Sequence, residues 1–313
     1  IDADRIPMDN ILTLINAKEE SLRSIGLELL GRMSEITLAK QLDLLLSLLV
    51  SKTPEIRVAI RPVIANLAKK YEDIAKTSIM KLLKLLLRKE SFEGLHAEIY
   101  DVLTIDIEQG LNVVDRKLIF RLLNSDYSKA QELACILIDR YVPFTSLSIR
   151  NVIRLADHEI VQARKLAWRM FEEQLPRIKY EREEAVRMMD CNWEDSRQFA
   201  FGFFRKQFLE TDWTPELMVS ICDSVRPDVQ AFGRELITRF FNAEDGPEYL
   251  LKLSQHPRHE VQLFATNYLD RFASDNIYMI KRLETYFMTV LSNVNKGRIA
   301  KDRILMFLHK EAM

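Results

Sequence analysis

Apolar residues fall on one helical stripe nine times along this chain. The pattern is an apolar or small residue at position 0, then apolar residues at +3, +7 and usually +11, which share one helix face at about 100° per residue. It reads Leu22, Ile25, Leu29, Met33; Ile56, Ala59, Val63, Leu67; Phe92, Leu95, Ile99, Leu103; and Ala130, Leu133, Leu137, Tyr141. It continues as Ile160, Ala163, Ala167, Phe171; Ser196, Phe199, Phe203; Val229, Phe232, Leu236, Phe240; Val261, Phe264, Tyr268, Phe272; and Gly297, Ala300, Ile304, Leu308. The intervals between successive position-0 residues vary little and fall within the period range of helical-hairpin repeats. Each interval holds a second apolar-periodic segment, such as Leu38 to Val50, Val113 to Leu123 or Pro215 to Cys222. Each repeat is therefore predicted as helix A, a tight turn and helix B. One hairpin cannot bury its own apolar face, so the hairpins must stack. The predicted fold is all-α, an α-solenoid of about nine stacked helical hairpins forming a single continuous helical-repeat domain over residues 1–313.

Local chemistry supports this reading. Thr53-Pro54 and Thr214-Pro215 place a capping hydroxyl before a proline at the first helical position. Asp245-Gly246-Pro247 breaks between repeats. Glu55, Glu159, Asp195, Asp228 and Glu260 immediately precede position 0, near the positive end of helix B. Position +4 is small at Gly26, Ala134, Ala200, Gly233 and Ala265. Glycine in a helix interior costs about 1 kcal/mol against alanine, so this position predicts close approach of a neighbouring helix. Position +1 is Arg or Gln at Arg23, Arg57, Gln131, Arg197, Gln230, Gln262 and Arg298.

Leu22-Arg23, Ile56-Arg57, Val229-Gln230 and Val261-Gln262, opening the second helix of a roughly 35-residue pair, resemble the Val-Arg feature of HEAT repeats in the armadillo-like superfamily. The resemblance spans essentially the whole chain and is architectural. It implies B helices lining a concave surface that binds proteins or, less often, nucleic acid, and it implies no shared enzymatic activity. HEAT repeats usually place an Asp in the A–B turn to pair with that Arg. Asp190 and Asp223, six residues before position 0, match that placement.

Composition narrows the class further. Hydrophobic residues make up 48% and charged residues 29%, with only 8 glycines and 9 prolines, which suits an ordered helical chain. A formal net charge of −1 gives no global drive toward nucleic acid or anionic membrane. Cys135, Cys191 and Cys222 lie far apart and read as buried reduced thiols in a cytoplasmic protein. The most apolar run, Leu44 to Val50, is far short of the roughly 20 residues a membrane span needs. The chain starts at Ile1, which suggests a fragment of a longer protein.

The chain carries no glycine-rich phosphate loop, nucleophile motif or paired-cysteine motif, so no enzymatic role, cofactor or metal is expected. His256-Pro-Arg-His259 lacks the further ligands that zinc requires. Lys76, Lys81, Lys84, Arg88 and Lys89 make one A helix basic and read as a solvated outer face. Trp168, Trp193 and Trp213 fall in one phenylalanine-rich stretch. Some bacterial alkylpurine DNA glycosylases are built from HEAT-like repeats, and Trp193 with Asp195, or Trp168 with Glu172, would imitate their aromatic and acidic arrangement. Packing is the favoured role for these tryptophans. Offsets +1, +5 and +9 form a flank beside the core stripe. It carries Arg57 and Arg61, the acids Asp101, Asp139, Asp270 and Asp302, and a basic run at Lys165, Arg169, Arg197, Arg205 and Arg234. Those five basic residues are the candidate binding surface. The expected function is a non-catalytic HEAT-type scaffold or adaptor that binds a protein partner or another domain of its own chain. The alternative is a nucleic-acid-binding HEAT-like protein related in mode to the glycosylases.

Overall fold

The structure is a computed structural model that describes all residues except 1–2, 241–245, 255–268, 270–272 and 293–297. The eighth stripe (Val261, Phe264, Tyr268, Phe272), Glu260, Gln262, Ala265, His256, His259, Asp245, Asp270 and Gly297 lie outside the described residues. The described residues are helical with connecting turns and contain no β-strand. The chain divides into two compact bodies, Ile1–Ser146 with Ile160–Ala163, and Leu147–Glu159 with Arg164–Met313. The sequence periodicity, which predicts one continuous domain, has no break at that division.

The start of helix B is set to the residue. In five repeats it opens two residues before position 0, at Glu20, Pro54, Ser128, Glu194 and Pro227. The fifth B helix, Val161–Glu173, corrects the expected phase. Its position 0 is Ala163, fully buried, rather than Ile160, which is partly exposed. Ala130, Ala163, Ser196 and Val229 then recur at one constant interval. Helix A is capped by side chains where the sequence offers them. Ser34, Asp115, Ser148 and Thr214 each accept from a backbone N–H three residues on. Thr53, before the helix B at Pro54–Lys70, makes no such bond; its own N–H donates to the Ser51 hydroxyl instead. The third repeat departs from the rule. Its helix, Leu95–Asp101, opens on Gly94, whose φ of 88° is left-handed, and runs into a π-helical turn at Val102–Asp106.

The buried face is broader than the expected stripe. Positions 0, +3 and +7 are buried, as in Ala130, Leu133 and Leu137 or Val229, Phe232 and Leu236, and +4 and +8 join them, as in Ala134 and Ile138 or Ala167 and Phe171. Position +4 faces the helix A of its own repeat. A Cβ on Gly26 would lie 2.8 Å from the Ile15 nitrogen, and one on Gly233 would lie 2.9 Å from the Cys222 nitrogen. Positions +3 and +7 face the preceding repeat, while +5 and +8 face the following one. Trp168 (+5) stacks on Phe199 (+3) at 5.4 Å, Phe171 (+8) meets the edge of Phe203 (+7) at 5.6 Å, and Phe201 (+5) meets Phe232 (+3) at 5.0 Å. Two further expectations are corrected. Leu22 and Ile25, expected in the core, are 37% and 48% exposed, because the first repeat has no neighbour on that side among the described residues. In the last helix, Arg298–Glu311, Ala300, Ile304 and Phe307 are buried. They take offsets 0, +4 and +7, which makes Ala300 rather than Gly297 position 0.

Candidate functional site

The recurring Arg or Gln at +1 has one structural task in every described repeat that shows it bonded. Its side chain reaches back six residues to a carbonyl at the end of its own helix A. Arg23 bonds the Ala17 oxygen at 3.2 Å, Arg57 that of Ser51 at 2.7 Å, and Gln131 that of Ser125 at 2.9 Å. Arg164 bonds the His158 oxygen at 2.9 Å, Arg197 that of Cys191 at 3.0 Å, and Gln230 that of Ser224 at 2.5 Å. Carbonyls at a helix C-terminus have no partner within the helix, and a long donor side chain satisfies them. Arg and Gln interchange here because the site demands an N–H donor and not a charge.

At Arg57, Arg164 and Arg197 a further donor crosses to the next repeat; Arg23 bonds only the Ala17 and Lys18 oxygens among the described residues. Arg164 donates Nε and Nη2 to Asp195 at 2.9 and 2.7 Å, and Arg197 donates Nε to Asp228 at 2.8 Å. In the N-terminal body Arg57 donates to Glu98 at 3.2 Å. An aromatic ring covers two of these guanidiniums, Trp193 over Arg164 at 4.3 Å and Phe92 over Arg57 at 4.9 Å. Burial pushes the Asp228 carboxyl up, but the Arg197 hydrogen bond and charge outweigh it and hold the group below its usual value. The acids of this ladder are Asp195 and Asp228, directly before position 0. Asp190, the turn residue the HEAT resemblance points to, instead accepts from the Ser224 hydroxyl.

This ladder changes the expected basic flank. Arg197 is a packed ladder residue, its side chain 13% exposed. Arg205 donates Nε and Nη2 to Glu235 at 2.9 and 2.6 Å and lies over the Phe232 ring. Its hydrogen bond holds the Glu235 carboxyl below its usual value. Arg169 pairs with Glu173 at 3.5 Å. Arg234 is half-buried and Lys165 is exposed. Three of the five cations thus share their charge with an acid. For Arg197 and Arg205 that acid stands about one repeat further along the sequence, which counting charges around one helix does not register.

The tryptophans are accounted for mainly by packing. Trp213 is buried. Trp168 is half-buried, and its indole N–H donates to the Ser196 hydroxyl at 3.1 Å. Ser196 in turn donates to the Ala156 oxygen at 2.6 Å, which explains a hydroxyl at a fully buried position 0. Trp193 is 39% exposed with Arg164 across its ring. His96, in a cleft of about 520 Å³ in the N-terminal body, is buried, bonded to the Arg88 oxygen and edge-on to Tyr127. Burial pushes all three cysteine thiols up to about 12, and none is in a disulfide. Among the described residues there is no cluster of three or more metal-ligating side chains, and no helix is long and apolar enough to cross a membrane.

One surface of the C-terminal body remains without an internal account. Gly202 sits in the interior of helix Glu194–Gln207 and is exposed, and a Cβ there would meet no atom within 4 Å. It lies one helical turn from Phe199 and Gln198 and one from Arg205. Phe199, three residues before it, stacks on the half-buried Trp168, and Gln198 and Arg205, each one turn from it on the same helix, are exposed. Gly26 and Gly233 have packing reasons for their glycine; Gly202 has none among the described residues. The Phe201-Gly202-Phe203 run carried the signal, but periodicity alone did not separate an exposed glycine from a packed one.

No family model and no curated protein matches the chain. Among solved structures, an engineered protein determined by the Northeast Structural Genomics Consortium aligns with 98% of this chain and 89% of its own, at 16% identity. Its TM-score is 0.28, a likeness too small to carry an argument about fold.

Proposed function

We propose that this chain is a HEAT-type α-solenoid that acts as a non-catalytic scaffold, binding a protein partner on the B-helix surface centred on Gly202. The observation that carries the reading is the exposed, unpacked Gly202 beside the Trp168–Phe199 stack. Glycine gives up about 1 kcal/mol of helix stability there, and it lets another backbone approach a ready aromatic anchor. Protein interfaces concentrate their energy in such aromatic anchors, rimmed by polar groups; here Gln198 and Arg205 on the same helix supply polar groups. Phosphate recognition is the weaker reading, because Arg164, Arg197 and Arg205 are already paired with Asp195, Asp228 and Glu235. The three free, buried thiols suit a reducing compartment such as the cytoplasm.

The test compares the proteins crosslinked to the wild-type chain with those crosslinked to Gly202→Leu and to Phe199→Ser. A control reverses Lys76 and Lys84 on the basic A helix. The expected result is a partner lost from both surface variants and kept by the control, with Gly202→Leu melting no lower than wild type. An identical set from all four chains defeats the proposal. Binding to duplex DNA at low salt, weakening linearly on a log–log plot against salt concentration, would instead favour nucleic acid.

A further inference from the structure

In the C-terminal body the turns that join helix A to helix B are tied to one another in three consecutive repeats. Asp157 accepts from the backbone N–H of Asn192 and from its side-chain amide, the latter at 2.8 Å. Arg226 donates Nη2 to the Asn192 amide oxygen at 2.8 Å and Nε to the Asp190 carbonyl at 3.2 Å, and the Ser224 hydroxyl donates to the Asp190 carboxylate. The turns at 157–159, 190–195 and 223–228 therefore form one edge. Two apolar side chains stand out of it. Val225 is 79% exposed. Trp193 carries Arg164 across its ring at 4.3 Å and is still 39% exposed, so part of the indole meets solvent.

The turns themselves do not require these side chains. Trp193 stands three residues before position 0, where the next repeat has Arg226, and Val225 stands four before it, where the preceding repeat has Asn192. Both places accept polar residues. The setting is strongly acidic. The three turns hold seven Asp or Glu residues and one arginine, Arg226, while Arg164 and Arg197 reach in from helix B. Seven carboxylates against three guanidiniums leave an excess of four negative charges. All three guanidiniums already donate to carbonyls of this edge. Such a field repels nucleic acid and anionic lipid and draws a cationic segment. An indole is also the best aromatic surface for an ammonium or guanidinium group.

We propose that this edge docks a basic segment of another protein, which lays an arginine or lysine on the exposed part of Trp193 and an aliphatic side chain against Val225. The bond between Arg226 and Asn192 holds the two turns side by side, so one short segment spans both anchors. The carboxylates steer the segment in and fix its charge, and the two apolar side chains hold it once water is displaced. This site does not depend on the surface at Gly202 and stands whether or not that surface binds.

Fluorescence anisotropy of a labelled Arg-Leu-Arg-Arg-Leu-Arg peptide tests this on the intact chain, beside the same peptide with glutamate in place of arginine. The basic peptide is expected to bind, more weakly as salt rises, and the acidic one not to bind. Trp193→Ser should raise the Kd about tenfold, and Val225→Ser and Glu194→Lys should each raise it as well. Glu172→Lys, near the far end of helix Val161–Glu173, should leave it unchanged. Val225→Ser alters a side chain that already meets solvent and should melt with wild type, so weaker binding there is not unfolding. A basic peptide that fails to bind at low salt overturns the proposal, as does binding that survives Trp193→Ser or Val225→Ser unchanged. Equal effects of Glu194→Lys and Glu172→Lys overturn it too, because attraction by overall charge would produce them.

Discussion

Three glycines inside B helices answer to different causes. At Gly26 and Gly233 an added methyl would press on the backbone of helix A, at 2.8 and 2.9 Å. At Gly202 it would meet nothing within 4 Å. Gly233→Ala is therefore expected to destabilise by about 1–3 kcal/mol through overpacking. Gly202→Ala is expected to stabilise by about 0.5–1 kcal/mol, by restricting the unfolded chain and raising helix propensity. Urea denaturation of the two variants beside wild type checks both signs, and equal shifts in one direction would contradict the assignment. The packed glycines were legible in the sequence, because +4 is small in several repeats at once. Gly202 was not, because its meaning depends on exposure, and at +6 it belongs to no recurring position.

At the scale of the helical pair, the +1 donor ties the end of helix A to the start of helix B, and Arg57, Arg164 and Arg197 extend the tie to the next repeat. Arg197→Ala leaves Asp228 and the Cys191 and Asn192 carbonyls without this donor, a loss of about 1–3 kcal/mol for groups left unpaired. Arg197→Gln should recover part of that loss, since Gln131 and Gln230 make the carbonyl bond with no charge. The Gln variant should also lose pH dependence. Asp228 is held below its usual value in the folded chain, so its contribution is fully present above the ordinary carboxylate range. That contribution is lost as pH falls through the lowered value. Wild-type melting temperature should therefore drop more steeply on acidification than that of Arg197→Gln, and parallel profiles would count against the ladder. The sequence displayed the +1 regularity but not its partners, which lie six residues back and 31 residues on. It also misplaced the fifth repeat, because Ile160 is as apolar as a stripe residue should be. Its helix starts three residues later than that reading requires, which makes Arg164 the +1 donor.

For the molecule as a whole, the packing seen within each body joins each hairpin to the next in sequence. Phe232 is 2% exposed and packs on Phe201 of the preceding repeat. Phe232→Ala is expected to cost about 3–5 kcal/mol. In a stack of neighbours the resulting rise in hydrogen exchange should centre on 194–240 and fade away from it; a uniform rise over the chain would contradict this. The all-α class could be read from periodicity alone. The division into two bodies could not, because the even spacing of Ala130, Ala163, Ser196 and Val229 runs straight through it.

That constant spacing has a consequence for how such a chain can change length. Excising residues 197–229 would join Ser196 to Gln230, and every later residue would keep its helical phase. Gln230 would then stand six residues after Cys191, where its amide can take over the carbonyl that Arg197 now holds. Asp195 would remain in place for Arg164. The shortened chain is expected to fold, with a cooperative melt and helical circular dichroism. An excision three residues shorter would turn the rest of helix B by about 60° and put its apolar stripe out of line. A chain spaced in this way is expected to tolerate loss or gain by whole repeats, a route by which duplication and deletion in a gene can lengthen or shorten it without redesigning any single helix.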